Sequence, residues 1–174
     1  NLTGPFYAVL GLFLLYRFLR YYVRPIPALI TCTLIFTGTN VYYYATGDAF
    51  MSHIYSFFLF ALSLYATRKY TDKGYSFKWA IVLIFSVLMI VLIRPTDFLF
   101  VLFLPFLNFR GWKPVGEFLH SFLSLKKIAA VIVLFILIFG PQMAYWKFAH
   151  DSFLTYSYGN EGFDNLTSPK IAEV

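Results

Sequence analysis

The chain has 174 residues, 60% of them hydrophobic and 13% charged, with 14 Lys and Arg against 8 Asp and Glu and a formal net charge of +6. Its mean hydropathy is +0.69. Soluble domains carry about 45–50% apolar and about 25% charged residues, so this chain has too little polar surface to wrap its apolar content in water. Disorder is excluded by the same composition, and a disulfide scaffold by the single cysteine, Cys32. An all-α integral membrane protein remains, a polytopic transmembrane bundle with room for about six spans of roughly 20 residues each.

The apolar runs, in chain order, are Pro5 to Leu19, Ile26 to Tyr44, Ser52 to Thr67, Phe77 to Ile93, Thr96 to Phe109 and Ile128 to Trp146. The fifth is the weakest, because at 1.5 Å per residue it covers about 21 Å of a hydrocarbon core roughly 30 Å thick. Between Gly111 and Lys127 a mixed segment reads as a short surface helix. Its Val115, Phe118, Leu119, Phe122, Leu123 and Leu125 largely follow helical spacing, with Lys126 and Lys127 at the end.

If all six runs cross, the Lys and Arg residues fall mostly on one side, and only Arg94, Lys147 and Lys170 lie opposite. The positive-inside rule then makes the crowded side cytoplasmic and puts both ends of the chain outside. Residues 1–146 form the transmembrane region and residues 147–174 a polar outer tail. No signal peptide opens the chain, and its abrupt ends suggest an internal piece of a longer polytopic protein, multi-pass in a bacterial inner membrane.

The runs hold almost no ionisable groups, apart from Arg17 and His53 near their edges. Ion-coupled transporters place such groups near mid-membrane, so chemistry is sought in the outer loops. The first of these, Gly38 to Phe58, holds Asn40, Asp48, Ser52 and His53. Tyr42, Tyr43 and Tyr44 fit an interfacial aromatic belt, Ser52 a helix N-cap and Asp48 a turn. The alternative reading joins Asp48 and His53 as an acidic and a hydrogen-bonding group at the membrane surface.

The second loop is Ile93 to Asp97. Pro95 stops the helix, and Thr96 or Asp97 can cap the next one. Arg94 stands against the positive-inside trend, either reaching lipid headgroups or offering a forked donor to a phosphate. In the tail, Asp151, Tyr158, Asn160, Glu161 and Asp164 make either a solvated face or part of a site. Nucleotide-binding glycine loops, the H-E-x-x-H pattern and Cys/His metal spacings are absent from the sequence. Asn1-Leu2-Thr3 and Asn165-Leu166-Thr167 match the glycosylation sequon, and Cys32 reads as a small packing residue.

The segments GTNVYYYATGDAFMSHIYSFFLFAL, LIRPTDFLF and FGPQMAYWKF, the last followed by SYGNEGF, resemble the GT-C glycosyltransferases of the dolichyl-phosphate-mannose mannosyltransferase and aminoarabinose transferase type, particularly bacterial members. The resemblance covers about Leu12 to Phe163. It implies transfer of a sugar from a polyprenyl-phosphate donor at the outer face to a lipid, glycan or protein acceptor, without nucleic acid. It also implies a principal catalytic Asp in a large external loop, expected upstream of residue 1. On this resemblance Asp48 is a secondary acidic residue that orients the acceptor or a divalent metal, and His53 and Arg94 meet the donor phosphate. Asn40, Asp97 and Glu161 complete the expected substrate-binding set. A transporter or flippase of a lipid-linked substrate would show a similar outer rim but needs broken helices or mid-membrane polar groups. A structural subunit would need no convergent polar cavity.

Overall fold

Proline in the first turn of a helix fixes φ where the missing N–H costs nothing. Helix α1 (Thr3–Leu19) carries Pro5 in that turn, and α2 (Pro25–Gly38) begins on Pro25. The computed structural model describes residues 2–48, 50–107 and 109–155, and the chain divides into two units, residues 1–139 and 140–174. No strand occurs among the described residues.

In the first unit, α4 (His53–Asp72) packs against both α1 and α5 (Phe77–Ile93). The buried face of α1 presents Gly4, Ala8 and Gly11, small residues at helical spacing that let two backbones approach. The approach is close: a Cβ added to Gly11 would sit 2.7 Å from the Phe57 ring and 3.2 Å from Phe58 Cα. Helix α3 (Val41–Thr46) is seated by Ala45, which joins Ala8 and Ile54 in a small cluster. A larger core gathers Ala66 and Tyr70 of α4, Ala80, Leu83 and Ile84 of α5, Leu104, and Phe118 of α7 (Trp112–His120).

That larger core holds a polar knot. The Tyr70 side chain is fully buried, and its hydroxyl lies 2.6 Å from Ser121 Oγ. Lys127, near the start of α8 (Leu125–His150), is 8% exposed and donates to Tyr70 Oη at 2.9 Å and to the Ser121 carbonyl at 2.8 Å. Its ammonium also sits over the Tyr70 and Phe122 rings. The segment read as one surface helix to Lys127 therefore ends sooner. A 3-10 turn at Ser121–Leu123 and an extended Ser124 close it, and Lys127 bonds back to the Ser124 carbonyl as α8 begins.

The expectation of about six spans, and of a multi-pass protein, is not met. Among the described residues one helix, Leu125–His150, is long and apolar enough to cross a membrane, with 26 residues and a mean hydropathy of 2.2. Helices Thr3–Leu19 and Phe77–Ile93 are apolar but stop at 17 residues, about 25 Å of rise against a core of roughly 30 Å. The run from Ile26 to Tyr44 breaks at an extended Thr39 into α2 and α3. The run from Thr96 to Phe109 breaks into 3-10 turns at Pro95–Asp97 and Leu104–Phe106 around a single turn, α6 (Phe98–Val101). Helix α4 reaches 20 residues, but its hydroxyl and charged side chains keep it outside the spanning class. With six crossings gone, the charge count that oriented the chain loses its premise.

Large apolar side chains nevertheless face outward. Val9 and Phe13 on α1, Ile26, Leu29 and Leu34 on α2, and Ile132, Val133 and Ile136 on α8 are exposed. The threonines of α2 suit that surface, since Thr31, Thr33 and Thr37 each return their hydroxyl to the carbonyl four residues back.

In the second unit, Pro141 lies inside the helix and removes one backbone donor. After the helix, Asp151 adopts a left-handed φ of 54° and its carboxylate pairs with Lys147, whose ammonium lies over the Phe153 ring.

Candidate functional site

Three local breaks bring polar residues together at one end of α4. Thr39 is extended, ending α2, and its hydroxyl donates to the Ile35 carbonyl at 2.6 Å while accepting from the Val41 N–H. Gly47 ends α3 with its N–H on the Tyr43 carbonyl at 2.8 Å, a wrap tight enough that a Cβ would lie 3.3 Å from that oxygen. Arg94 ends α5 in an extended conformation, as a residue before proline must.

These breaks set His53, the first residue of α4, against Arg94. Arg94 Nη1 is 2.9 Å from His53 Nδ1. A guanidinium has only donors, so Nδ1 accepts and the imidazole proton resides on Nε2. The His53 ring stacks on Tyr44 with centroids 4.3 Å apart and planes at 27°. A cavity of about 360 Å³ opens beside them, lined by Asn40, Tyr44, His53 and their neighbours Thr39, Val41 and Ile54. Arg94 does not itself line that cavity. Its Nε is 3.9 Å from Asp97 Oδ1, an ionic contact without a hydrogen bond. The other Asp97 oxygen is buried with no partner.

The structure thus joins His53 to Arg94, Arg94 to Asp97, and His53 to Asn40 across the cavity. It does not join Asp48 to them. Its N–H bonds the Tyr43 carbonyl and its carbonyl accepts from the Met51 N–H, but among the described residues no hydrogen bond or ion pair links its carboxylate to His53 or Arg94. Glu161, with Tyr158, Asn160 and Asp164, lies outside the described residues, as do both sequon asparagines.

Tyr44 was read only as part of an aromatic belt. Its stacking on His53 needed the α3 turn that the sequence did not reveal. Among the described residues no three His, Cys, Asp or Glu side chains converge as a metal set. What the arrangement offers is an imidazole held at Nδ1 by a guanidinium, its ring lining a cavity shared with Asn40. That suits an anionic oxygen or a polar, hydroxyl-bearing ligand.

Comparison with protein-family models, with curated proteins and with solved structures finds no match to this chain.

Proposed function

We propose that the protein is a membrane glycosyltransferase that takes a sugar from a polyprenyl-phosphate donor at the membrane surface and passes it to a lipid, glycan or protein acceptor. The observation that carries this reading is the Arg94–His53 contact, which leaves the imidazole Nε2–H as the free donor of a ring that lines a polar cavity. In such a transfer the bond between the sugar's anomeric carbon and a phosphate oxygen breaks, the electron pair leaving with the phosphate, while the acceptor hydroxyl bonds that carbon and passes its proton to a carboxylate base or to the departing phosphate. Negative charge grows on the phosphate, and a donor already aimed at it lowers the barrier. His53 Nε2 supplies that donor, with Arg94 holding its tautomer and adding positive charge beside it.

Asn40, which lines the same cavity, offers a second donor for the phosphate or a sugar hydroxyl. Asp97 balances the charge of Arg94. Asp48, half-buried in the same loop, orients the acceptor. The apolar faces of α1, α2 and α8 suit lipid, and they support placing the protein in a membrane with α8 as its spanning helix.

The test is transfer of labelled sugar by the full protein in membranes supplied with polyprenyl-phosphate sugars. His53→Ala is expected to lower the rate by about 100-fold, the scale of losing one aimed donor, with protein levels in the membrane unchanged. Transfer at the wild-type rate by the variant rejects the assignment.

A further inference from the structure

Helix α4 rises about 30 Å between its ends, and at the end away from His53 a second polar cavity of about 320 Å³ opens. Two buried polar atoms on its lining residues have no protein partner: Thr67 Oγ1, on a residue 1% exposed, and Arg68 Nε. A helical threonine commonly returns its hydroxyl to the preceding turn, as Thr71 does on this same helix, so the unspent Thr67 hydroxyl stands out. Arg110 lines the same cavity, is exposed, and has no carboxylate partner among the described residues. Helix α7 contributes its beginning, with Pro114 on the wall and no side-chain cap on its first turn.

Of the groups that would oppose an anion here, the one carboxylate on the wall and the nearby helix-end carbonyls are already engaged, while Glu117, exposed on α7, carries its charge near Tyr75 without lining the cavity. Asp72 lines the cavity, but its carboxylate pairs with Arg68 Nη2 at 3.0 Å. The last carbonyls of α4 accept the N–H groups of Lys73, Gly74 and Tyr75. Burial, with the Glu117 charge second, pushes the Tyr75 phenol up, so it remains an O–H donor on the same wall. The cavity therefore collects donors and a spare cation, a set that suits a phosphate with oxygens on several sides. It also has an apolar neighbour. A cavity of about 580 Å³, bounded by Leu83, Val87 and Val131 among others, borders it at Leu104, Pro105 and Phe118.

We propose that this end of α4 binds a phosphate-headed lipid, its phosphate against Thr67, Arg68 and Arg110 and its chain passing Leu104 and Pro105 into the apolar cavity. The site is separate from the His53 cavity, and its test reads binding rather than sugar transfer. The full chain is placed in phosphatidylcholine nanodiscs doped with phosphatidic acid, and binding is followed by phosphorus NMR. Inorganic phosphate titrated into protein in undoped discs forms the second arm. Phosphatidic acid is expected to bind at least tenfold tighter than inorganic phosphate. Arg110→Gln, an exposed substitution that leaves the core untouched, is expected to weaken it on the order of tenfold, as losing one charged contact does. Thr67→Val, nearly isosteric, should weaken it in the same direction, and His53→Ala should leave it unchanged. Equal binding by wild type and Arg110→Gln overturns the proposal. So does inorganic phosphate binding as tightly as the lipid, which would assign the cavity to a free anion.

Discussion

Arg94→Ala is expected to lower sugar transfer by about 100-fold while leaving thermal stability close to wild type. The reasoning rests on what the guanidinium does to its neighbour. With Nη1 on Nδ1 at 2.9 Å, Arg94 forces the proton onto the nitrogen that remains for the ligand. Without it, Nδ1–H and Nε2–H tautomers compete, the ring loses an anchor, and a cation disappears from beside the imidazole. The Arg94 side chain is 35% exposed, so its removal opens no core cavity. Arg94→Lys keeps the charge and one donor but loses the planar fork, and is expected to recover about tenfold of the loss. A purely structural role would show the reverse pattern, with melting temperature falling alongside activity and no rescue by lysine.

The second large effect concerns stability. Tyr70 is fully buried among Tyr75, Phe118 and Phe122, so Tyr70→Ala is expected to cost about 3–5 kcal/mol, the range for emptying an aromatic site. Tyr70→Phe keeps the ring and isolates the hydroxyl. It leaves the buried Lys127 ammonium with the Ser121 carbonyl as its remaining hydrogen-bond acceptor of the two it had, at a cost of about 1–3 kcal/mol. In a Lys127→Met background the same change should cost less than about 1 kcal/mol, because no ammonium is then left wanting a partner. Denaturant unfolding in detergent measures this cycle. Equal costs in both backgrounds would mean that the hydroxyl serves Ser121 alone.

Helix content was legible in the sequence where apolar runs met clear stops. The run from Phe77 to Ile93 is bounded by Ser76 and Pro95 and forms a helix over those residues. Continuity was not legible. Ile26 to Tyr44 is apolar enough throughout to read as one span, yet Thr39, bonded to the Ile35 carbonyl, turns the chain out of the helix. Pro95 and Pro105 divide the fifth run into pieces too short to span. Hydropathy reports which side chains avoid water, and says little about how far a helix continues.

The candidate site was visible residue by residue and not as a constellation. His53, Arg94, Asn40 and Asp97 stood out because polar groups are few beside such apolar runs. Their contacts could not be read from spacing, since His53 and Arg94 are 41 residues apart. Nearness in sequence does not give contacts either: Asp48 and His53 are five residues apart, yet among the described residues no hydrogen bond or ion pair joins the carboxylate to the imidazole. Lys127 was read as a surface charge because it follows a mixed segment ending in two lysines. Its burial depends on a 3-10 turn that brings Ser121 to Tyr70, which no local pattern announces.

The central claim is that His53 presents its Nε2–H to the phosphate of a lipid-linked sugar. Nitrogen NMR of protein labelled at its three histidines, with His53 assigned through His53→Ala, observes that atom directly. The expected spectrum has His53 protonated at Nε2 with Nδ1 as an acceptor, and adding a polyprenyl-phosphate sugar moves the Nε2 resonance until the site saturates. A proton on Nδ1, or a His53 spectrum that stays fixed through the whole titration, would contradict it.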